Sequence, residues 1–290
     1  MNDALSALPV IEELSPSVTR RLLGEIPVLV VDHPRVRGAV SLQGGQVLAW
    51  QPAGSAPGLW LGERNTWQAG KPVRGGVPLC WPWFGPAAKP SHGFARLLDW
   101  DLVAHEEREG GVLLALELKA SEKTREVWPH EFTLSIRIVL GATCDIELEA
   151  QGDHSSTGAL HTYLAVGALG KAEVSGLGGS YRDNLLAVDV SDVDGTVVPA
   201  DHIERVYTEP EDVSLLRDEA LGRVVELAHR GASDVVVWNP GAELAASMGD
   251  LTDEDHRHFL CVETGRINAP LVSTEERPGR LGLTLRLLPA

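Results

Sequence analysis

The sequence predicts an all-β fold, a large antiparallel β-sandwich with a few short helices. Three observations lead there. Short apolar runs of strand length recur along the chain; they are bounded by glycine, proline, aspartate or asparagine and often carry β-branched residues; and segments with helical spacing are few. A chain of 290 residues, 43% of them hydrophobic, can bury a substantial core. An immunoglobulin-sized sandwich would leave most of these strands unused, so two large stacked sheets with many strands each are expected.

Residues 1–24 are expected to form a leading helical segment, with Ser15 as N-cap, Pro16 in the first helical position and Gly24 at the end. Asp3, Glu12 and Glu13 stand where a secretory signal would need a basic start and an unbroken apolar stretch. Strands follow at "IPVLVVDH" and "AVSLQGGQVLAWQP". Next comes an irregular segment, "RGGVPLCWPWFGPAAKPSHGFAR" at 74–96, too rich in proline and glycine for a helix and without strand alternation. Beyond it "LLDWDLVAH", "GVLLALELKA", "FTLSIRIVLG", "CDIELEAQG", "ALHTYLAVG", "SDVVVWNP", "HFLCVETG" and "RLGLTLRLLP" read as strands, and "LTDEDHRHF" offers a turn or two of helix. No fixed-period repeat, linker or low-complexity tract divides the sequence, so residues 1–290 are expected to form one domain.

The formal charge of −16 excludes a general affinity for nucleic acid or anionic membrane, whose phosphates call for a basic stripe. No apolar run approaches the roughly 18 residues needed to cross a bilayer. Cys80, Cys144 and Cys261 are far apart and lack CxxC spacing, which suggests neither zinc nor disulfides and points to a reducing cytoplasm.

Four places carry side chains suited to chemistry. In the 74–96 segment, Arg74 precedes two glycines and Arg96 follows His92, Gly93 and Phe94, while Trp81, Trp83 and Phe84 supply large rings. These groups fit an aromatic-walled anion pocket, and equally well a stiffened loop over ordinary core rings with its arginines on surface carboxylates. His161 interrupts an apolar run, sharing a strand face with Tyr163, Ala165 and Gly167; it is either a satisfied core imidazole or, with a carboxylate opposite, a catalytic one. Glu263 shares a strand face with Phe259 and Cys261, where burial calls for a partner or a wet pocket. Asp183, in "SYRDNLL", is most simply an aspartate bonding its own turn. Two further motifs carry little: His256 and His258 lack a third metal ligand, and "GLGGS" at 176–180 lacks the lysine of a phosphate loop.

Taken together and in order, "RGGVPLCWPWFGP", "SHGFAR", "LHTYLAVG", "YRDN", "VVWNPG…SMGDL" and "FLCVETG" resemble the hexose-6-phosphate mutarotases, or glucose-6-phosphate 1-epimerases, of the aldose 1-epimerase-like superfamily. The resemblance implies a galactose mutarotase-like supersandwich and interconversion of α and β anomers of hexose 6-phosphates. It implies His161 and Glu263 as the acid/base pair, and Arg74, His92, Arg96 and Asp183 as substrate-binding residues. Ser91 stands where some relatives carry glutamine, and Asn184 where lysine is frequent. No metal or other cofactor is implied, and a cytoplasmic monomer acting on a small sugar phosphate is expected. Two other readings are an aldose 1-epimerase for unphosphorylated sugars and a non-catalytic carbohydrate-binding sandwich. Ring opening needs a proton taken from the anomeric hydroxyl and another given to the ring oxygen, which assigns Glu263 as base and His161 as acid.

Overall fold

The computed structural model describes residues 3–290 and contains three antiparallel sheets. The first is a five-stranded meander, Val10–Ser15, Val18–Leu23, Ile26–His33, Val36–Ser41 and Gln46–Pro52, paired in chain order. The second has eight strands and runs, from edge to edge, through Ala172–Ser175, Val213–Asp218, Arg223–Arg230, Gly279–Pro289, Thr143–Gln151, Thr133–Gly141, Gly111–Lys119 and Asp101–Arg108. The third, also of eight strands, orders Val188–Ser191, Ser180–Asp183, Ile203–Thr208, Asp234–Asn239, Phe259–Ser273, His154–Leu160 and Leu79–Cys80, with Tyr163–Ala165 added along Phe259–Ser273.

Alternation decides what each sheet covers. In Thr143–Gln151 every second side chain is buried, among them Cys144, Ile146, Leu148 and Ala150. Leu114 and Leu116, Ile136 and Ile138, and Leu281, Leu283 and Leu285 extend that inner face across the second sheet. They belong to one contiguous core with Leu160, Val235, Val237, Leu260 and Val262 of the third sheet and Val18, Leu29, Val31 and Val40 of the first. The third sheet thus spends one face on the core, and its other face is left for a site.

The leading segment departs from expectation. Only Asp3–Ala7 is helical, and 10–23 is a hairpin; residues 1 and 2 lie outside the described residues. The physical reason is that the same signals serve both structures. Pro16 and Ser17 make the hairpin connection between the paired Ser15 and Val18, and Gly24, with φ of 60°, forms the tight turn that pairs Leu23 with Ile26. A Cβ at Gly24 would lie 2.5 Å from the Trp67 carbonyl oxygen, so the turn tolerates no larger residue. Ladders on both sides of Val18–Leu23 then outweigh a modest helical preference. The short helix expected near 251–259 is a single 3₁₀ turn, Asp255–Arg257. No helix among the described residues is long and apolar enough to cross a membrane.

Candidate active site

Strand register brings His161 and Glu263 together. Leu160 pairs with Thr264 and Tyr163 with Cys261, so His161 falls opposite Glu263 in the same antiparallel register. The chain breaks its ladder there: His161 N–H instead donates to the Pro78 carbonyl at 2.9 Å. Across the gap His161 Nε2 lies 3.4 Å from Glu263 Oε1. Pairing then carries one row of outward positions over the sheet: Glu263 faces Val236, Val236 faces Val206, and Val206 faces Arg182. A second row holds Tyr163, Cys261, Trp238 and Glu204. Most of these side chains floor a cavity of about 720 Å³.

The irregular 74–96 segment forms the facing wall, contributing Arg74, Pro78, Phe84, Gly85, His92 and Arg96. Of Trp81, Trp83 and Phe84 only Phe84 reaches the cavity. Trp81 is fully buried, its edge against Phe94, Trp128 and Phe132 and its indole N–H donating to the Ser156 hydroxyl at 3.0 Å. Trp83 is buried beside Phe94 and donates to the Pro90 carbonyl. The rings thus divide between the two uses open to them: two anchor the segment to the core and one lines the site. Gly93 makes the close approach possible, since a Cβ there would stand 2.0 Å from the Trp81 carbonyl oxygen.

The two candidate arginines differ. Arg74 is held by Asp250, with Nε and Nη2 each 2.9 Å from one carboxylate oxygen, and its Nη1 donates to the Tyr163 hydroxyl at 3.1 Å. Burial works against its charge, but Tyr163 and Asp250 outweigh it and keep the guanidinium protonated. Arg96 ion-pairs with no carboxylate among the described residues. Its Nη2 donates to the Ser91 carbonyl at 2.9 Å, and its buried Nε has no partner. Arg182 also lines the cavity, tied to the exposed Asp189 at 3.1 Å.

Asp183 is not among the cavity-lining residues, unlike His161, Glu263, Arg74, His92 and Arg96. Its carboxylate accepts from the amides of Leu185 and Leu186 and from Arg205 Nε. Strand alternation is the cause: Arg182 and Asn184, on either side of it, turn toward the cavity, and Asp183 turns the opposite way with Arg205. Asn184 donates to Glu204 at 2.9 Å, so the polar groups on this wall are Arg182, Asn184 and Glu204. Glu204 carried no sequence signal of its own. Trp238, Met248 and Asp250 lie in the "VVWNPG…SMGDL" segment, whose spacing marked the motif without singling them out.

Electrostatics couple the central groups. Burial, then His92 and the guanidinium groups of Arg96 and Arg74, push His161 well below the ordinary imidazole value. Burial and the Glu204 carboxylate push Glu263 well above the ordinary carboxylate value, with Arg96 opposing. Proton affinities that normally differ by about two units are drawn toward each other. Glu263 Oε2 and His161 Nδ1 are buried without partners, leaving hydrogen-bonding capacity unspent at the cavity floor. His92, at 5.6 Å between ring centroids from His161, is pushed down to about 4 by burial, Arg96 and Arg74, and is therefore neutral at physiological pH.

The aldose 1-epimerase family model matches residues 27–280. A protein of Salmonella typhimurium is 46% identical over 98% of both chains, and one of Escherichia coli is 45% identical over 97% of both; each bears the name "Putative glucose-6-phosphate 1-epimerase". The crystal structure of "a putative mutarotase (YeaD) from Salmonella typhimurium", 46% identical, superposes over 99% of each chain with a TM-score of 0.97. The chain belongs to the aldose 1-epimerase family and has its mutarotase fold, and it is an isomerase of that class.

Proposed function

From that membership, we propose that this protein interconverts the α and β anomers of hexose 6-phosphates, with glucose 6-phosphate as the reference substrate. The observation that carries the reading is the presence in one cavity of a cross-strand His161–Glu263 pair and an arginine, Arg96, that ion-pairs with no carboxylate among the described residues. The first suits anomer exchange, and the second suits an anionic group on the sugar. Charge-assisted bonds from a guanidinium select phosphate over a neutral hydroxymethyl group. In a chain of formal charge −16, only such a local cation can offset the general repulsion of an anion. The relatives' names point to the same phosphorylated substrate.

The reaction conserves protons. Glu263 takes the proton of the anomeric hydroxyl as the C1–O5 bond breaks and C1 becomes an aldehyde, while His161 gives a proton to O5. Rotation about C1–C2 exposes the other carbonyl face. Closure then runs the transfers backwards, with protonated Glu263 as acid and neutral His161 as base. Each turnover alternates between the two one-proton states of the pair, so neither may be much the more stable. The opposed shifts of Glu263 and His161 favour this balance. Asp250, Asn184 and Glu204 offer hydrogen bonds to sugar hydroxyls, and Trp238, Tyr163 and Phe84 offer apolar walls to the ring's C–H surfaces.

The test is anomer exchange measured by NMR on glucose 6-phosphate and on glucose at equal concentration. The expected result is a kcat/KM clearly higher for the phosphate ester. Equal values would assign the cavity to unphosphorylated aldoses, and no acceleration of either would leave a carbohydrate-binding module.

A further inference from the structure

His92 has a backbone φ of 62°, in the left-handed region that only a few per cent of non-glycine residues occupy. A reciprocal clamp holds it there. The His92 amide donates to the Gly85 carbonyl at 2.8 Å, and the Gly85 amide donates to His92 Nδ1 at 3.3 Å. A second group reaches the same ring nitrogen: Cys80 Sγ lies 3.3 Å from Nδ1. Cys80 sits on Leu79–Cys80, paired with Ala159, just before the chain turns out to His161. Leu79 points into the core, so alternation sends the thiol to the cavity side of the sheet, beneath the imidazole.

An amide N–H can only donate, so Nδ1 is an acceptor and carries no proton. The thiol must then donate to it as well. Burial pushes Cys80 up to about 12, which keeps its proton in place. In a neutral imidazole one nitrogen accepts and the other donates, so the remaining proton resides on Nε2. Nε2 is thereby the nitrogen left for the cavity that His92 lines.

We propose that Cys80, together with the Gly85 amide, is a positioning residue that fixes His92 as its Nε2–H tautomer, giving the cavity a permanent neutral N–H donor beside His161. The inference rests on the cavity being the sugar site. It separates the two imidazoles: His161 exchanges a proton with the sugar, and His92 polarises an oxygen without titrating. The opposite tautomer would present a lone pair to that oxygen and repel it. Cys80 itself touches no substrate.

Long-range proton–nitrogen NMR of the imidazoles in the free protein at pH 7, assigned with His92→Asn, tests the tautomer independently of activity. The expected spectrum has His92 protonated on Nε2 alone. Losing one of two donors to Nδ1 in Cys80→Ala is expected to populate the Nδ1–H form and lower kcat for glucose 6-phosphate about two- to tenfold, the range for one neutral hydrogen bond, with little change in KM. Cys80→Ser, which restores a donor, is expected to recover both readouts. Should Cys80→Ala not fold, Cys80→Val removes the donor at similar bulk. A wild-type His92 protonated on Nδ1 would overturn the proposal, and so would a donor-less variant with unchanged tautomer and kcat. A wild type with the Nε2–H form but no anomer exchange would sink the sugar reading and leave the tautomer lock standing.

Discussion

Replacing Arg96 by alanine separates recognition of the phosphate from the chemistry at C1. Arg96 spends one donor on the Ser91 carbonyl, leaves a buried Nε without a partner, and ion-pairs with no carboxylate among the described residues. A phosphate oxygen meeting it forms charge-assisted hydrogen bonds, each worth about 1.5–3 kcal/mol. Losing one such bond is a factor of about 10 to 150 in kcat/KM for glucose 6-phosphate. Arg96 also holds Glu263 down and His161 down, so its removal alters the rate with every sugar. That common effect cancels in the ratio of kcat/KM for glucose 6-phosphate over glucose, and the ratio is the quantity to measure by NMR exchange or polarimetry. It is expected to fall by the full factor in Arg96→Ala. In Arg74→Ala it is expected to stay nearly unchanged while both rates drop, because Asp250 already neutralises Arg74. Equal losses for the two sugars in Arg96→Ala would refute the reasoning.

Two other outcomes follow from buried groups away from the reacting atoms. His229 is wedged between Thr264, at 2.8 Å, and Ser214, at 3.1 Å, and burial pushes it down to about 4. The unfolded chain therefore binds more protons than the folded one between pH 6.5 and about 4, and stability falls as pH drops through that window, by up to about 3 kcal/mol from this residue. Unfolding free energies from urea titrations at pH 7 and 4.5 are expected to converge by about that amount in His229→Gln; an unchanged gap would remove His229 from the account. Asp234 is fully buried and accepts from the amides of Ile267 and Asn268 and from the Asn268 side chain, pinning a bulge whose residues line the cavity. Asp234→Ala leaves those donors unpaired and is expected to cost about 3–5 kcal/mol in urea unfolding and to raise KM more than it lowers kcat. A loss in kcat alone would contradict that wall-building role.

The sheet segments were legible because their periodicity is strong. "IPVLVVDH" is a strand over the whole of Ile26–His33, and "GVLLALELKA" is a strand through Lys119. The site was legible where strand alternation could be counted: His161 and Tyr163 share a face, with rings stacked at 4.9 Å, and Glu263 shares one with Cys261. That His161 faces Glu263 is a matter of register between strands about a hundred residues apart, which no local pattern encodes. The same limit explains Asp183. Its neighbours face the cavity, but parity could not be counted before its strand had partners. The leading helix failed for a different reason, since serine, proline and glycine punctuate hairpins and helices alike.

The most direct measurement of the His161–Glu263 claim is anomer exchange of glucose 6-phosphate catalysed by Glu263→Gln, a near-isosteric change that keeps the buried side chain but cannot take a proton. The account predicts a fall in kcat of about a hundredfold or more, with the urea midpoint no lower than that of the wild type. Near-normal exchange by the folded variant would contradict it.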